Sequence, residues 1–256
     1  MKIIGIIPAR MAASRFPGKP LYNILDRPML SHVWGRAKLY NKWDYLSIAT
    51  CDKEIEEFAV NNKYTFISTG SHHTRALDRV AEAVSKINNI MIDDDDIIIN
   101  VQGDEPMMHP EMFDELIKPI INTKNINATI LAMKIEEESI WRNPDTVKLI
   151  YNNNGEVLYT SRAPIPYNNN QFNKNMDARR IYGLFAFKWS YLKLFTNHKE
   201  TRLEKLESCD SNRTLDMDFR QYIAPYPFVR SYSVDSPKDI SIVEKNILDD
   251  KYWRKY

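Results

Sequence analysis

Cysteine and glycine are scarce in this chain, which has two cysteines and seven glycines among 256 residues. Cys51 and Cys209 lack the spacing of metal-ligand pairs and do not suggest a disulfide framework, so reduced thiols in a reducing, cytoplasmic compartment are expected. The first polar loop, which follows residue 8, contains neither GxxxxGK[ST] nor GxGxxG. The usual ATPase and dinucleotide-binding classes therefore lose their main support.

An excess of charge of one sign and long apolar runs are also lacking. The formal net charge is +1, so the chain has no bulk electrostatic attraction to nucleic acid or to a membrane surface. No apolar run approaches the length of a membrane span, and Pro8 and Arg10 interrupt the first apolar segment too early for a signal peptide. These absences predict a soluble, cytoplasmic protein with no nucleic-acid or membrane partner.

Segments typical of buried strands alternate with segments of helical apolar spacing through the first half of the chain. The predicted strands are 3–7, 45–49, 64–67 and 97–102, and the predicted helices are 28–39, 53–60, 77–87 and 110–121. Such alternation implies right-handed βαβ crossovers. We therefore predict an α/β fold with a Rossmann-like, doubly wound, mainly parallel sheet.

The second half of the chain is less regular. Its predicted strands are 128–135, 147–151, 157–160, 183–187 and 228–234, followed by a closing helix at 237–248. The sequence Asn-Asn-Asn-Gly at 152–155 is a strong hairpin-turn signal between two of these strands. Because no linker or repeat divides the chain, we predict a single domain over residues 1–256 with an inserted hairpin subregion at about 150–185.

A cluster of cations follows the first predicted strand. Arg10, Arg15 and Lys19 lie within ten residues of one another, just after the apolar run that ends at Pro8. Ligands of open α/β folds bind at the carboxyl ends of the sheet strands, and cations clustered there favour a polyanion such as a nucleoside triphosphate. Without several glycines, this loop must hold phosphate by side-chain charge as much as by backbone amides.

Two aspartates end predicted strands. Asp104 follows a core strand in VQGDEP, and Asp235 follows a strand in SVDSPKD. Carboxylates at strand ends that face one crevice are what Mg²⁺ needs, together with water and phosphate oxygens. Two alternatives stay open here: Asp235 is the N-cap of the closing helix, and Glu105 is either a partner of Asp104 or a structural residue.

Two other polar clusters are weaker signals. The four aspartates at 93–96 are interpreted as a solvated loop rather than a metal cage. The pair His72 and His73 is weak as a metal site, because adjacent side chains are expected to point in different directions and no third ligand is near in sequence.

Five segments occur in an order that is specific to one enzyme family. They are IPARMAASRFPGKPL, LDRVAEA, NVQGDEP, LYTSRAPIPY and SVDSPKDI, spread from about residue 3 to about residue 248. Together they resemble the 3-deoxy-manno-octulosonate cytidylyltransferase (CMP-Kdo synthetase) family. The resemblance implies a fold of the nucleotide-diphospho-sugar transferase type and a homodimer, with the subregion at about 150–185 in dimerisation.

The resemblance also implies a reaction and a set of site residues. The reaction couples CTP to an acidic sugar, Kdo or a relative such as 8-amino-Kdo, with Mg²⁺, and gives CMP-sugar and pyrophosphate for lipopolysaccharide or capsule synthesis. The implied catalytic residues are Arg15, Lys19, Asp104 and Asp235, of which the two aspartates are the metal pair. The implied CTP-binding residues are Arg10, Ser14, Arg15, Lys19, Arg79 and Gln102. The implied acceptor-binding residues are Gln102, Arg162, Phe185, Asp210 and Ser211.

Three segments depart from the family pattern. Residues 73–77 read His-Thr-Arg-Ala-Leu instead of His-x-Ser-Gly-Thr, residues 180–185 lack the usual histidine and tyrosine, and residues 208–211 lack a Glu-Gln pair. Because a polar site rejects analogues that leave its groups unpaired, such replacements favour cytidylyl transfer to a different or modified acceptor. The alternatives are a nonulosonate or non-sugar acid acceptor, and a catalytically silent nucleotide-binding homologue with a regulatory role.

Overall fold

The computed structural model describes residues 1–12, 15–217 and 219–256. Its strands are β1 (Ile3–Pro8), β2 (Asn23–Ile24), β3 (Arg27–Pro28), β4 (Tyr45–Thr50), β5 (Phe66–Ser68), β6 (Ile97–Val101), β7 (Ala128–Lys134), β8 (Lys148–Tyr151), β9 (Val157–Ser161), β10 (Arg179–Lys188) and β11 (Tyr222–Tyr226). Its α-helices are α1 (Met29–Lys38), α2 (Lys53–Asn61), α3 (Ala76–Ser85), α4 (Glu111–Asn122), α5 (Glu138–Arg142), α6 (Trp189–Asn197), α7 (Arg202–Glu207) and α8 (Lys238–Ile247). Among the described residues, none of the helices has both the length and the apolar character needed to cross a bilayer.

The first of two compact units comprises Met1–Glu111 and Arg230–Tyr256. Its sheet has the strand order β6-β1-β4-β5, and all of these pairings are parallel. The five residues of β6 are all buried, and so are the four central residues of β1, as expected for strands that are covered on both faces. The predicted α/β class with a Rossmann-like, mainly parallel sheet is confirmed.

β1 lies where the strand order of this sheet reverses. The chain runs from β1 to β4 and β5 on one side, whereas β6 pairs with the opposite edge of β1. Loops that leave two such strands in opposite directions open a crevice at their carboxyl ends, which is where ligands bind in open α/β sheets. The loops after Pro8 and after Val101 therefore lie at the binding edge of this sheet.

A hydrophobic cluster of this unit holds the loop after β1 in place. Phe16 is 7% exposed and belongs to a cluster with Ile24, Met29, Met107, Val234, Ile240, Val243 and Ile247. Burying a phenylalanine side chain contributes about 1.5–3 kcal/mol. Because Phe16 directly follows Arg15 and lies three residues before Lys19, its burial restrains the backbone that carries both cations.

The second unit comprises Met112–Val229. In its sheet, β7 pairs with β11 in parallel and with β10 in antiparallel orientation, while β8 pairs with β10 and with β9. The predicted hairpin between β8 and β9 is confirmed: the Gly155 amide donates to the Asn152 carbonyl, and the Asn152 side chain accepts the amide of Asn154. The prediction that residues 1–256 form one domain stays a prediction.

The predicted strand at residues 228–234 is wrong. These residues form no strand; the Val234 amide donates to the Asp104 carbonyl, and Ser231 Oγ donates to the Met107 carbonyl. This segment packs against the core, so buried and partly buried residues occur along it. Burial alone produces the same apolar pattern in the sequence as a sheet strand does.

The last strand of the sheet is β11, which sequence reasoning missed. Pro225 lies within it and is exposed. Proline lacks an amide to donate and is disfavoured inside strands, so the segment is atypical of one. Pro225 is tolerated because β11 is the last strand in the strand order and pairs along one edge with β7.

Candidate active site

Two aspartates and two cations of the first unit meet in two ion pairs. Lys19 Nζ lies 2.8 Å from Asp104 Oδ2 and 2.7 Å from the carbonyl oxygen of Val234. Arg15 Nη2 lies 2.7 Å from Asp235 Oδ1. The Val234 amide donates to the Asp104 carbonyl at 2.9 Å, so the two aspartates belong to adjoining backbone segments. The structure thus brings together the four residues predicted to be catalytic.

These ion pairs are only partly buried. Side-chain exposure is 12% for Lys19, 22% for Asp104, 28% for Asp235 and 47% for Arg15. Exposed pairs are weak, so phosphate oxygens can compete for the cations. Two accessible carboxylates also fit Mg²⁺, which binds through one or two protein carboxylates and takes its other oxygens from water and phosphate.

Asp235 does not cap helix α8, so that alternative is wrong. The Asp239 carboxylate accepts the amides of Asp235 at 2.9 Å and of Ser236 at 2.7 Å. Helix α8 begins after Pro237 without a hydrogen bond from a capping side chain. The N-cap position is Pro237, two residues after Asp235, and the Asp235 carboxylate pairs with Arg15.

Glu105, whose role was left open, contacts the segment that precedes Asp235. It is 4% exposed, and its Oε1 accepts a hydrogen bond from Ser233 Oγ at 2.7 Å. This bond ties the loop after β6 to the segment that leads into Asp235. Glu105 therefore helps to hold the two segments that carry the aspartates.

Gly103 lies where the loops after β1 and β6 approach most closely. A Cβ atom at this position would lie 2.5 Å from the carbonyl oxygen of Pro8, the last residue of β1. Real Cβ atoms do not come so near to a backbone oxygen, so only glycine allows this approach. The neighbouring Asp104 depends on it for its position.

We expect Gly103→Ala to lower both turnover and stability. One of the two loops must move, and a displacement of about 1 Å can lower the rate by about 10²-fold, while overpacking costs about 1–3 kcal/mol. Steady-state nucleotidyl transfer and urea denaturation measure the two effects. Gly155→Asn, in the hairpin turn of the second unit, is the control and should keep normal turnover. Normal turnover in Gly103→Ala would contradict the argument.

Two other residues predicted to bind CTP, Arg10 and Gln102, lie near the same strand ends. Arg10 is exposed in the loop after β1. Gln102 directly follows β6, and its Oε1 accepts a hydrogen bond from Asn100 Nδ2 at 3.2 Å. Ser14 lies outside the described residues. Their roles toward CTP stay predictions.

Arg79 is buried and does not lie on the surface as a cation usually does. It is 2% exposed on helix α3, and its Nη1 donates to Thr69 Oγ1 at 2.5 Å and to the Gly70 carbonyl at 3.3 Å. Arg79 therefore holds the loop between β5 and α3. Its predicted role in CTP binding is not tested by these contacts.

Arg162 of the second unit is held by backbone carbonyls. Its Nε donates to the Glu207 carbonyl at 2.9 Å, Nη1 to the Pro144 carbonyl at 2.9 Å, and Nη2 to the Ser208 carbonyl at 3.4 Å. These contacts fix the plane of the guanidinium group just after β9. Nη1 also lies 3.4 Å from the Asp145 carbonyl, so four of the five N–H groups are engaged and the group attracts a carboxylate mainly by its positive charge.

Glu207, a residue that sequence reasoning did not assign, organises the surroundings of Arg162. Its carboxylate accepts hydrogen bonds from Tyr159 Oη at 2.9 Å, Ser161 Oγ at 2.8 Å and the Arg162 amide at 2.9 Å. Burial alone would raise the pKa of Glu207, but these bonds and the nearby guanidinium lower it below the ordinary value. The ionised carboxylate therefore holds the backbone that carries Arg162.

Lys148 was also missed, although a lysine inside an apolar strand pattern was a usable signal. It is fully buried on β8, and its Nζ donates to the carbonyls of Asn143, Thr146 and Arg162 at 2.8, 2.6 and 2.7 Å. Burial and the positive charge of Arg162 lower the pKa of Lys148 to about 8.

We expect the stability difference between the wild type and Lys148→Met to depend on pH. The folded-state pKa of about 8 lies below the ordinary 10.5, so between these values the unfolded chain binds more protons. The unfolding free energy of the wild type therefore rises relative to the variant, by roughly 3 kcal/mol over this range. Urea denaturation from pH 7 to pH 11 measures it, with exposed Lys205→Met as the control. A difference that stays constant with pH contradicts the assignment.

Three more of the predicted acceptor-binding residues lie in the second unit, whereas Gln102 lies in the first. Phe185 on β10 is partly buried and packs against an apolar cluster that includes Leu149. Asp210 begins a 3₁₀ helix that runs to residue 216. Ser211 is 3% exposed, and its Oγ has no hydrogen-bond partner among the described residues. Asn212 anchors this turn by accepting a hydrogen bond from Thr160 Oγ1 at 2.8 Å.

Comparison with known proteins decides the family. Residues 4–222 match a family model described as cytidylyltransferase. The 3-deoxy-manno-octulosonate cytidylyltransferase of Nitratidesulfovibrio vulgaris (strain DP4) is 37% identical over 241 residues, which cover 93% of each chain. That of Thermodesulfovibrio yellowstonii is 35% identical over 251 residues, covering 96% of this chain and 98% of the relative. The chain belongs to this family. The resemblance inferred from five motifs is confirmed, and the protein is a nucleotidyltransferase with cytidylyltransferase activity.

Solved structures agree with this assignment. CMP:2-keto-3-deoxy-manno-octonic acid synthetase complexed with CTP is 28% identical to this chain, with a TM-score of 0.84, and the match covers 97% of this chain and 99% of the other. 4-Diphosphocytidyl-2C-methyl-D-erythritol synthase is 15% identical with a TM-score of 0.61 and shares the fold alone.

Proposed function

We propose that this cytidylyltransferase couples CTP to the anomeric hydroxyl of a 3-deoxy-ulosonic acid. The acceptor is Kdo or a modified relative such as 8-amino-Kdo, the products are the CMP-sugar and pyrophosphate, and the product serves lipopolysaccharide or capsule synthesis. The observation that carries the proposal is the double ion pair of Lys19 with Asp104 and Arg15 with Asp235 at the carboxyl ends of β1 and β6. The names of the relatives and the CTP complex of the structural neighbour support it.

In this proposal the two cations bind the triphosphate. Lys19 Nζ and Arg15 Nη2 each pair with a carboxylate at 2.7–2.8 Å, and phosphate oxygens can replace or share these contacts. As the anomeric oxygen attacks the α-phosphorus, negative charge grows on the departing pyrophosphate. Fixed positive charges that are already in place stabilise that state without reorganisation.

Asp104 and Asp235 would hold Mg²⁺ in this reaction. When bound, the ion neutralises phosphate charge and acidifies a hydroxyl group near it. The chain contributes the arrangement of the carboxylates: the Val234 amide donates to the Asp104 carbonyl, and the Asp239 carboxylate accepts the Asp235 amide. Both carboxylates are therefore available as oxygen ligands.

On the acceptor side, Arg162 is suited to the sugar carboxylate. Glu207 and Lys148 hold the backbone of Arg162 from two directions, so its guanidinium is preorganised. Phe185 stands where the family pattern has a tyrosine, and it packs against apolar neighbours. An acceptor that differs from Kdo at the hydroxyl which that tyrosine would contact fits this change.

Pyrophosphate release tests the proposal. The full chain is incubated with CTP and Mg²⁺ together with Kdo, 8-amino-Kdo or a sialic-type nonulosonate, and the CMP-sugar is identified by mass. Release with Kdo or 8-amino-Kdo supports the proposal and names the acceptor. Release with the nonulosonate alone, or CTP binding without release, overturns it in favour of another acceptor or a silent homologue.

The proposal includes a homodimer in which residues 150–185 take part. A monomeric mass in light scattering at micromolar concentrations would contradict it.

A further inference from the structure

Two adjacent histidines of the first unit converge with a carboxylate from helix α3. A ligand atom from each of His72, His73 and Glu82 lies within 4.8 Å of the other two. The imidazole centroids are 4.1 Å apart, and the ring planes are tilted by 42°. The prediction that the side chains of these histidines point in different directions is therefore wrong, and the third candidate ligand comes from nine residues further along the chain. Where the structure describes the chain, no other group of three such side chains is this close.

The carboxylate is held in the orientation that a ligand needs. The Gly70 amide lies 3.0 Å from both oxygens of Glu82, and Lys86 Nζ lies 2.6 Å from Oε1. Lys86 also donates to the Ser68 carbonyl at 2.8 Å. With Oε1 held by Lys86, Oε2 faces His73 and is in hydrogen-bond contact with its Nε2. Such outer contacts fix the direction of a metal-binding carboxylate.

Gly70 leaves the space in which the ligands converge. A Cβ at position 70 would lie 2.4 Å from His72 Nδ1 and 3.4 Å from Glu82 Oε2. The missing side chain therefore lets the imidazole of His72 lie directly against the backbone, beside the carboxylate. A larger residue would push His72 away from Glu82.

We propose that His72, His73 and Glu82 bind a late first-row divalent metal ion, with Zn²⁺ as the preferred occupant. Two imidazole nitrogens and one carboxylate oxygen are donors that suit Zn²⁺, whereas Mg²⁺ prefers oxygen ligands only. The site is distinct from the aspartate pair and does not depend on the proposed reaction. His72 is exposed and the other two ligands are partly buried, so the ion enters from solvent. The bound ion would tie the loop after β5 to helix α3.

Zinc binding to the untagged, chelator-stripped full chain tests the proposal. Zn²⁺ is titrated in competition with a chromophoric chelator, and Co²⁺ is titrated separately to record its visible absorption bands. We expect the wild type to bind one Zn²⁺ per chain. Each of the variants His72→Gln, His73→Gln and Glu82→Gln should bind Zn²⁺ at least about 100-fold more weakly. Gly70→Ala keeps all three ligands and should also weaken binding, because it displaces His72.

Two controls locate the binding. His198→Gln removes an exposed histidine elsewhere, and Asp104→Asn alters the proposed Mg²⁺ site; both should bind Zn²⁺ as the wild type does. Circular dichroism verifies that each variant is folded. The proposal is overturned if the wild type takes up no stoichiometric Zn²⁺, or if a folded His72→Gln/His73→Gln double variant binds it with unchanged affinity. Loss of binding in Asp104→Asn alone would assign the ion to the aspartates instead.

Discussion

Replacing Asp104 or Asp235 by asparagine is expected to lower kcat for cytidylyl transfer by about 10²- to 10³-fold, the range seen when one preorganised electrostatic group is lost. The amide keeps the shape of the side chain but removes the charge that pairs with Lys19 or Arg15. In the proposed reaction it also removes a ligand of Mg²⁺. Because both ion pairs are partly exposed, their loss should cost about 1 kcal/mol of stability or less.

The measurement separates chemistry from folding. Initial rates of pyrophosphate release are recorded across a range of Mg²⁺ concentrations, and urea denaturation reports the unfolding free energy of the same samples. The variants should need more Mg²⁺ to reach half their maximal rate. Asp26→Asn, an exposed carboxylate outside the site, should match the wild type in both assays. Unchanged rates in both Asp104→Asn and Asp235→Asn would sink the assignment of these residues and favour the silent-homologue alternative.

Replacing Arg213 by methionine is expected to lower the free energy of unfolding by about 3–5 kcal/mol. Arg213 is 1% exposed and Glu204 is fully buried; Nη2 lies 2.7 Å from Oε1 and Nε 2.9 Å from Oε2, so the pair is bidentate. Removing the arginine leaves a buried carboxylate without its compensating charge. The same carboxylate completes the capping box of helix α7 by accepting the Thr201 amide.

A double variant distinguishes a lost charge pair from general disruption. Arg213→Met combined with Glu204→Leu removes both charges, so it should be less destabilised than Arg213→Met alone. Arg142→Met is the control: its exposed i,i+4 pair with Glu138 should contribute about 0.5 kcal/mol or less. Urea denaturation monitored by circular dichroism compares the wild type, Arg213→Met, Glu204→Leu, the double variant and Arg142→Met. A double variant less stable than either single variant would show that the pair is not an isolated electrostatic unit.

Much of the first unit was predictable because its signals are local. Buried strands of a parallel sheet are continuous apolar runs, and helices carry apolar residues at a spacing near 3.6, so β1, β6, α1 and α3 were located within a few residues. The loop cations and the two aspartates follow strands, and the carboxyl ends of parallel strands meet at one edge. That rule was enough to predict that the loop cations and Asp104 would lie at the carboxyl edge of the sheet.

The sequence by itself thus determined the α/β class, the family and the four residues that form the two ion pairs. Only the tertiary structure decided which side chains contact each other when they are distant in the sequence. Asp235 pairs with Arg15 instead of capping α8. Glu82 joins two histidines that looked isolated, and Lys148 and Glu207 hold Arg162 across three chain segments. Which side chains contact each other depends on which groups are buried together and on which buried groups still need a hydrogen-bond partner. Neither leaves a periodic mark in the sequence, because both depend on contacts that form only when distant segments pack together.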